Sequence, residues 1–259
     1  MTQATEQTKT LGIALSGAAV RGFVHLGVFQ ALEEEGIHPQ FLGGSSAGAL
    51  IGYLFAAGLN SQNILGATKG ISWLRMARPI LSRKGIISFK PMEQFLERFL
   101  GQLHFQDLAT PLVISASDLD SGKPVILTEG AVAPAVHASC AIPGLVRPVA
   151  HAGYQNLADG GVTNNTPSAA VKQLGADFVV GVDAFAPKRR RFAGPIGVGL
   201  NAVEIMVRNS NLGTKDSDCL IAPDLSDISF GRFGQKQKML DIGRREAEKH
   251  IDTIKEALK

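Results

Sequence analysis

The chain has 259 residues, of which 45% are apolar and only 6% aromatic, a balance that excludes a disordered chain and argues against a β-sandwich. Its 26 Lys and Arg against 23 Asp and Glu give a net charge of +3, too small to indicate a nucleic-acid partner. The two cysteines, Cys140 and Cys219, fit neither a disulfide framework nor a zinc site. We therefore expect a globular enzyme in a reduced compartment such as the cytoplasm.

The ends and the apolar runs of the chain bear on its organisation. Residues 1–10 are polar and lack the apolar stretch of a signal peptide, so we expect a short loose tail followed by a single domain over residues 11–259. The longest apolar run, residues 49–59, is shorter than the roughly 20 residues that a membrane-spanning helix requires. Any contact with a membrane is expected to be peripheral.

The first sixty residues predict alternating strands and helices. An apolar strand over residues 11–15 precedes a segment in which apolar residues recur at helical spacing from 24 to 32, with a helix stop at Gly36. A second strand, residues 41–44, leads directly into a buried helix that ends at Gly58. This order is typical of an α/β domain with a parallel sheet.

The remaining elements are predicted from shorter patterns. We expect helices over residues 62–67, 91–100 and 202–209, strands over 111–116, 178–184 and 219–222, one side of a hairpin over 123–128, a flexible glycine-rich stretch over 194–199, and a C-terminal helix with Ala247, Ile251, Ile254 and Leu258 on one face that packs on the sheet.

Two segments carry clustered positive charge. Residues 73–89 mix arginines with apolar side chains, which indicates either an amphipathic flap or an ordinary surface loop. Residues 188–191 read Lys-Arg-Arg-Arg and are either a solvated loop or a docking site for an anionic membrane, where each charge contributes about 1 kcal/mol.

A candidate nucleophile lies at the junction of the second strand and its helix. Gly44-Ser45-Ser46-Ala47-Gly48 fits G-x-S-x-G, in which Gly44 and Gly48 let the chain turn sharply and hold Ser46 exposed. The helix N-terminus places N–H groups beside Ser46 that would favour an oxyanion. The alternative is a tight turn without catalytic function.

A serine hydroxyl needs a base, and the histidines do not supply a convincing one. Downstream, His151 lies in a predicted turn and His250 in a charged helix. Asp159, followed by Gly160 and Gly161, is the better partner because a carboxylate at a glycine turn can approach another backbone closely. Asp-Gly is also a common hairpin turn, which would explain these residues without catalysis.

Four stretches together resemble the bacterial patatin-like phospholipases, relatives of the neuropathy-target-esterase group. They are residues 16–22, 44–48, 139–144 and 159–161, within a resemblance that covers about residues 10–225. The resemblance implies a three-layer α/β/α fold with a mostly parallel central sheet. It also implies that Ser46 and Asp159 form a Ser-Asp dyad that works without histidine.

In that family the first loop is a glycine run ending in Arg-Gly, whose N–H groups form the oxyanion hole. The resemblance therefore implies Gly17, Ala18 and Ala19 as donors, with Arg21, Gly22, Gly160 and Gly161 in supporting positions. Ala18 and Ala19 replace glycines, which would distort the hole if either needs a positive φ and would be nearly harmless otherwise. A lost donor typically costs about 10² to 10³ in rate.

Arg21 could orient this loop, attract a lipid phosphate or form a structural ion pair. A nucleotide-binding P-loop is a poor fit, because no Lys-Ser or Lys-Thr follows Gly22.

The expected function is hydrolysis of carboxylic esters of phospholipids, lysophospholipids or related lipids, with no cofactor and no metal. The expected partners are a lipid or acyl-ester substrate and an anionic membrane surface, and a homo-oligomer is left open. One alternative is a lipid-binding or regulatory protein whose oxyanion hole is disabled. Another is an acyltransferase or thioesterase that keeps the nucleophile and changes the acceptor.

Overall fold

The computed structural model describes residues 9–68, 73–185, 194–210, 213–228 and 233–259. The strands in these ranges are β1 Leu11–Leu15, β2 Phe41–Ser45, β3 Arg78–Pro79, β4 Ile87–Ser88, β5 Leu112–Asp118, β6 Pro124–Leu127, β7 Val149–His151, β8 Tyr154–Asp159, β9 Phe178–Val182 and β10 Cys219–Ile221. The helices are α1 Phe23–Glu34, α2 Ala47–Ala56, α3 Ser61–Ala67, α4 Trp73–Met76, α5 Lys90–Leu100, α6 Val132–Ser139, α7 Ser168–Leu174, α8 Gly194–Asn209, α9 Lys236–Glu248 and α10 Ile251–Ala257.

The central sheet is mostly parallel, as predicted. Its strands follow the order β10-β9-β1-β2-β5-β8-β7, with β6 also paired to β5. All pairs from β10 to β5 are parallel, whereas β6 and β8 run antiparallel to β5, and β7 runs antiparallel to β8. The parallel strands therefore end at a common edge, where their loops can meet.

Helices cover both faces of the sheet, which confirms the three-layer α/β/α fold. Ile13 and Leu15 of β1 point into the larger apolar core with α1 and α2, whereas Ala14 points to the opposite face and packs with Val171 of α7. A Cβ at Gly12 would lie 2.4 Å from a methyl carbon of Val171, so a glycine there lets α7 approach β1 closely.

Two element predictions are wrong. The C-terminal helix is divided into α9 and α10, and α9 packs on α1 instead of the sheet: a Cβ at Gly27 would lie only 2.0 Å from the carbonyl oxygen of Leu240. The glycine-rich stretch expected to be flexible forms the first turns of α8, which starts at Gly194. Glycine is a weak helix former, and tertiary packing overrides that preference.

The predicted amphipathic flap contains α4 and the small β3–β4 hairpin. Most of the predicted tail and all of the basic cluster at 188–191 lie outside the described residues. Among the described helices, none combines the length and the apolar character needed to cross a bilayer.

Candidate active site

Ser46 lies on a sharp turn between β2 and α2. Its backbone has φ 51° and ψ −118°, a conformation that non-glycine residues rarely adopt and that is often found at functional sites. The turn depends on the two small neighbours: a Cβ at Gly44 would lie 2.5 Å from the nitrogen of Ala49, and one at Gly48 would lie 2.3 Å from the carbonyl oxygen of Leu15. The strand-turn-helix geometry of G-x-S-x-G is therefore present.

The sheet register brings Asp159 to the level of Ser46. Ser45 of β2 is paired with Ser115 of β5, and the next residue of β5, Ala116, is paired with Asp159. The side chains of Ser46 and Asp159 line the same cavity, and the Ser46 hydroxyl is near enough to the Asp159 carboxyl group to act on its pKa. The structure thus joins two side chains that are more than a hundred positions apart in sequence, and their catalytic role stays a prediction.

The carboxyl group of Asp159 is held in a dry environment. Burial raises its pKa to about 6, and the nearby Ser46 hydroxyl and the hydrogen bond from the Gly161 N–H act in the opposite direction. The Gly161 N–H donates to Oδ1 of Asp159 at 2.8 Å. A carboxylate whose pKa lies near neutral pH can both accept and return a proton, which a general base requires.

The loop after β1 passes directly beside Ser46. The three residues expected to supply the oxyanion hole differ in what their N–H groups do. The Gly17 N–H donates to Oδ1 of Asn165 at 3.1 Å and also to the Asn165 carbonyl at 3.3 Å. No hydrogen-bond acceptor among the described residues pairs with the N–H of Ala18 or Ala19. Those two N–H groups are thus available to a ligand, whereas that of Gly17 is engaged.

The two alanines of this loop have different backbone conformations. Ala18 has φ −155°, which alanine adopts without the left-handed penalty, whereas Ala19 has φ 51°. Of the two alanines, only Ala19 therefore has the positive φ that could distort the oxyanion loop. A glycine at this position would be less strained. An alanine at this position adds strain without excluding the loop conformation.

Asn165 and Arg21 fix this loop from two sides. Asn165 is 1% exposed, and its Nδ2 donates to the Gly17 carbonyl at 3.4 Å. The guanidinium of Arg21 is 1% exposed and donates to the carbonyl oxygens of Leu225 and Ile228 at 2.9 and 2.7 Å. These contacts support the loop-orienting role for Arg21 over contact with a lipid phosphate. The role of Asn165 was missed, because a lone asparagine in a loop carries no sequence signal.

The histidines lie away from the Ser46 hydroxyl. The buried Nε2 of His25 donates to the Ser16 carbonyl at 2.9 Å, and burial lowers the pKa of this imidazole to about 4 despite that bond. His151 ends β7, and His250 lies against the sulfur of Cys219. No histidine is found among the described residues that line the cavity at Ser46.

Ser46 and Asp159 open into an apolar cavity of about 410 Å³. A volume of this size falls in the range of about 300 to 1,000 Å³ that is typical of ligand pockets. Its walls include Leu50, Ile51 and Leu54 of α2, Met92, Phe95 and Leu96 of α5, and Leu200, Val203 and Val207 of α8. Such walls suit a hydrocarbon chain with its polar end at the serine.

Comparison with known proteins shows which family the chain resembles. A family model described as patatin-like phospholipase matches residues 13–171. An uncharacterized NTE family protein of Mycobacterium tuberculosis is 28% identical over 92% of this chain and 46% of its own length. The lysophospholipase NTE1 of Coccidioides immitis is 28% identical over 69% of this chain and 12% of its own length. The chain thus spans less than half the length of these curated relatives.

Solved structures share the fold at low sequence identity. VipD from Legionella pneumophila has a TM-score of 0.63 and 15% identity, covering 95% of this chain and 67% of that chain. ExoU of Pseudomonas aeruginosa, in its complex with SpcU, has a TM-score of 0.53 and 14% identity, covering 98% of this chain and 54% of that chain. These likenesses concern the fold alone.

Proposed function

Because the chain belongs to the patatin-like phospholipase family, we propose that it is a serine acyl hydrolase that cleaves carboxylic esters of lysophospholipids or related lipids. The observation that carries the proposal is the placement of Ser46, on its strained turn, and the buried carboxyl group of Asp159 side by side in one cavity. A hydroxyl beside a base is the minimum that nucleophilic acyl transfer requires.

In the proposed reaction, Asp159 takes the proton of Ser46 as Oγ bonds to the acyl carbonyl carbon. The negative charge that develops on the carbonyl oxygen is stabilised by the N–H groups of Ala18 and Ala19 and by the N-terminus of α2. The intermediate collapses, the ester C–O bond breaks, and Asp159 returns its proton to the departing alcohol. Water, deprotonated by Asp159, then cleaves the acyl-enzyme and releases the fatty acid and the free serine.

The cavity supports a long-chain acyl substrate. Apart from Ser46 and Asp159, the polar residues that line it are Thr68, Asn165 and Glu204, and the rest of its described lining is apolar. An acyl chain bound along these walls would direct its ester carbonyl to Ser46, while a polar headgroup would remain toward solvent.

The hydrolase proposal is tested by turnover of a lysophospholipid and of a short-chain aryl ester. We expect Ser46→Ala and Asp159→Asn each to abolish fatty-acid release. Ser45→Ala is the matched control, because the neighbouring Ser45 hydroxyl is buried and makes no hydrogen bond in the described part of the chain. Unchanged turnover in Ser46→Ala or Asp159→Asn would reject the dyad.

The same assay separates the alternatives. Binding of lipid without turnover by the wild-type protein would favour a regulatory lipid-binding protein. Transfer of the acyl group to an added alcohol, in preference to water, would favour an acyltransferase, and faster cleavage of a thioester would favour a thioesterase.

We also propose peripheral contact with an anionic membrane through the β3–β4 hairpin. Its loop exposes Leu81 fully and Ile86 by 46%, with the exposed cations Arg83 and Lys84 between them. Apolar side chains beside cations suit the surface of an anionic bilayer.

Sedimentation with phosphatidylglycerol vesicles tests this contact. Leu81→Ser should weaken sedimentation, whereas Leu220→Ser, at a 40% exposed leucine on the edge strand β10 of the central sheet, should not. Equal sedimentation of both variants and the wild type would contradict the proposal.

A further inference from the structure

We propose that the consecutive residues Ser139, Cys140 and Ala141 form a positioning clamp that holds Ser46 and Asp159 in register. Each of the three makes a different contact with one of these two residues. The proposal rests on the hydrolase function above and assigns a role to a segment that the reaction itself does not use.

Ser139, the last residue of α6, fixes the strained backbone at Ser46. Its hydroxyl accepts a hydrogen bond from the Ser46 N–H at 2.8 Å and donates its own proton to the Ser115 carbonyl at 2.6 Å. Ser139 and Ser115 are fully buried, so water does not replace these bonds. The Ser46 N–H thus has a fixed acceptor on the side of β5, which holds the turn at its positive φ.

Cys140 lies in the cavity of the reacting hydroxyl. Its side chain is 7% exposed and lines the same cavity as Ser46 and Asp159. Burial, followed by the negative charge of Asp159, raises the pKa of the thiol well above its ordinary range, so the sulfur keeps its proton at neutral pH. A protonated thiol can donate to Oγ of Ser46 while that hydroxyl donates to Asp159, which fixes the rotamer that the base needs.

Ala141 holds the other member of the pair. Its carbonyl oxygen accepts the Asp159 N–H at 2.9 Å, just where β8 ends. The segment is rigid because the N–H groups of Cys140 and Ala141 donate back to the carbonyls of Val136 and Ala138 at 3.0 Å, which closes the last turn of α6. One short segment therefore sets the distance between nucleophile and base.

The clamp predicts an effect on kcat. Removing the Ser139 hydroxyl leaves the Ser46 N–H and the Ser115 carbonyl without their partner, and a misplacement of about 1 Å at a reacting group can cost about 100-fold in rate. We expect Ser139→Ala to lower kcat by about 10- to 100-fold with little change in KM. Ser45→Ala removes a buried hydroxyl that has no hydrogen-bond partner among the described residues, so its kcat should stay within about twofold of wild type.

Two readouts distinguish a clamp from simple loss of stability. The acid limb of the pH–rate profile should move to higher pH in Ser139→Ala, because a displaced Ser46 hydroxyl no longer lowers the pKa of Asp159. Hydrogen exchange at the Ser46 amide should accelerate in Ser139→Ala and not in Ser45→Ala, and this measurement needs no enzymatic activity.

A second pair of variants covers the case in which Ser139→Ala does not fold. Cys140→Ala should slow the labelling of Ser46 by a fluorophosphonate, whereas Cys219→Ala, at a buried cysteine of β10, should not. The clamp would be overturned if the wild type is active and Ser139→Ala and Cys140→Ala both match their controls in kcat, in the acid limb of the pH–rate profile and in labelling. A wild type that neither turns over nor labels would instead overturn the hydrolase proposal, and the amide exchange would still decide on the clamp.

Discussion

Ala19 offers a direct test of the strain beside the nucleophile. Its φ of 51° lies in the left-handed region, which costs a non-glycine residue about 1 to 2 kcal/mol. Substitution by glycine removes that cost, but it also lowers the free energy of unfolding by about 0.4 to 1 kcal/mol because the unfolded chain gains conformational freedom. Ala19→Gly should therefore leave the free energy of unfolding unchanged or raise it by up to about 1.6 kcal/mol.

Ala109→Gly is the matched control, because Ala109 is also an exposed loop alanine but has a negative φ. Ala109→Gly should lower the free energy of unfolding by the full amount, about 0.4 to 1 kcal/mol, that glycine costs through the unfolded chain. Both substitutions have the same effect on the unfolded chain. The difference between their free energies of unfolding therefore measures the strain at Ala19 and should reach about 1 to 2 kcal/mol.

Urea unfolding at constant m-value measures this difference. Turnover of Ala19→Gly should stay close to wild type, since glycine retains the N–H that is proposed to bind the oxyanion. Equal destabilisation by the two substitutions would refute a left-handed Ala19, and a large loss of turnover would show that the alanine methyl group is needed to order the loop.

Three further predictions concern the surroundings of the dyad. Because burial raises the pKa of Asp159 to about 6 and only its ionised form can act as base, kcat/KM should fall as pH drops through about 6; a flat profile from pH 5 to 8 would contradict this. Asn165→Ala should lower kcat more than it changes KM in steady-state assays, since the Gly17 N–H loses its side-chain acceptor and the oxyanion loop loosens. Glu93→Gln should cost about 2 kcal/mol of unfolding free energy at pH 7, because buried Glu93 accepts a hydrogen bond from Nδ1 of His137 at 2.7 Å. Burial alone would raise the pKa of Glu93, but its hydrogen-bond partners lower it, so denaturant titrations should show this cost fading as pH falls through the lowered pKa.

The first half of the sheet could be predicted from the sequence because its signals are local. Residues 11–15 and 41–44 are uninterrupted apolar runs, and the glycines around Ser46 mark the turn between strand and helix. The start of α8 was missed because its glycines disfavour a helix when judged alone. The helix α6 carries Pro134 near its start and was not predicted either, although proline is tolerated in a first turn.

Only part of the candidate site could likewise be predicted from the sequence. Ser46 and Asp159 were found through short motifs, and the family resemblance supplied their pairing. The residues around them act through contacts over long separations: Ser139 reaches the Ser46 N–H across 93 positions, and Asn165 reaches Gly17 across 148. One sequence carries no local pattern that links positions so far apart. These contacts are therefore seen only in the folded chain.

Mass spectrometry of the protein after treatment with a fluorophosphonate probe tests the central claim most directly. The account predicts one adduct, on the peptide that contains Ser46, which is absent in Ser46→Ala and forms more slowly in Asp159→Asn. An adduct on another residue, or labelling at the same rate without the Asp159 carboxylate, would contradict the proposal that this pair carries the chemistry.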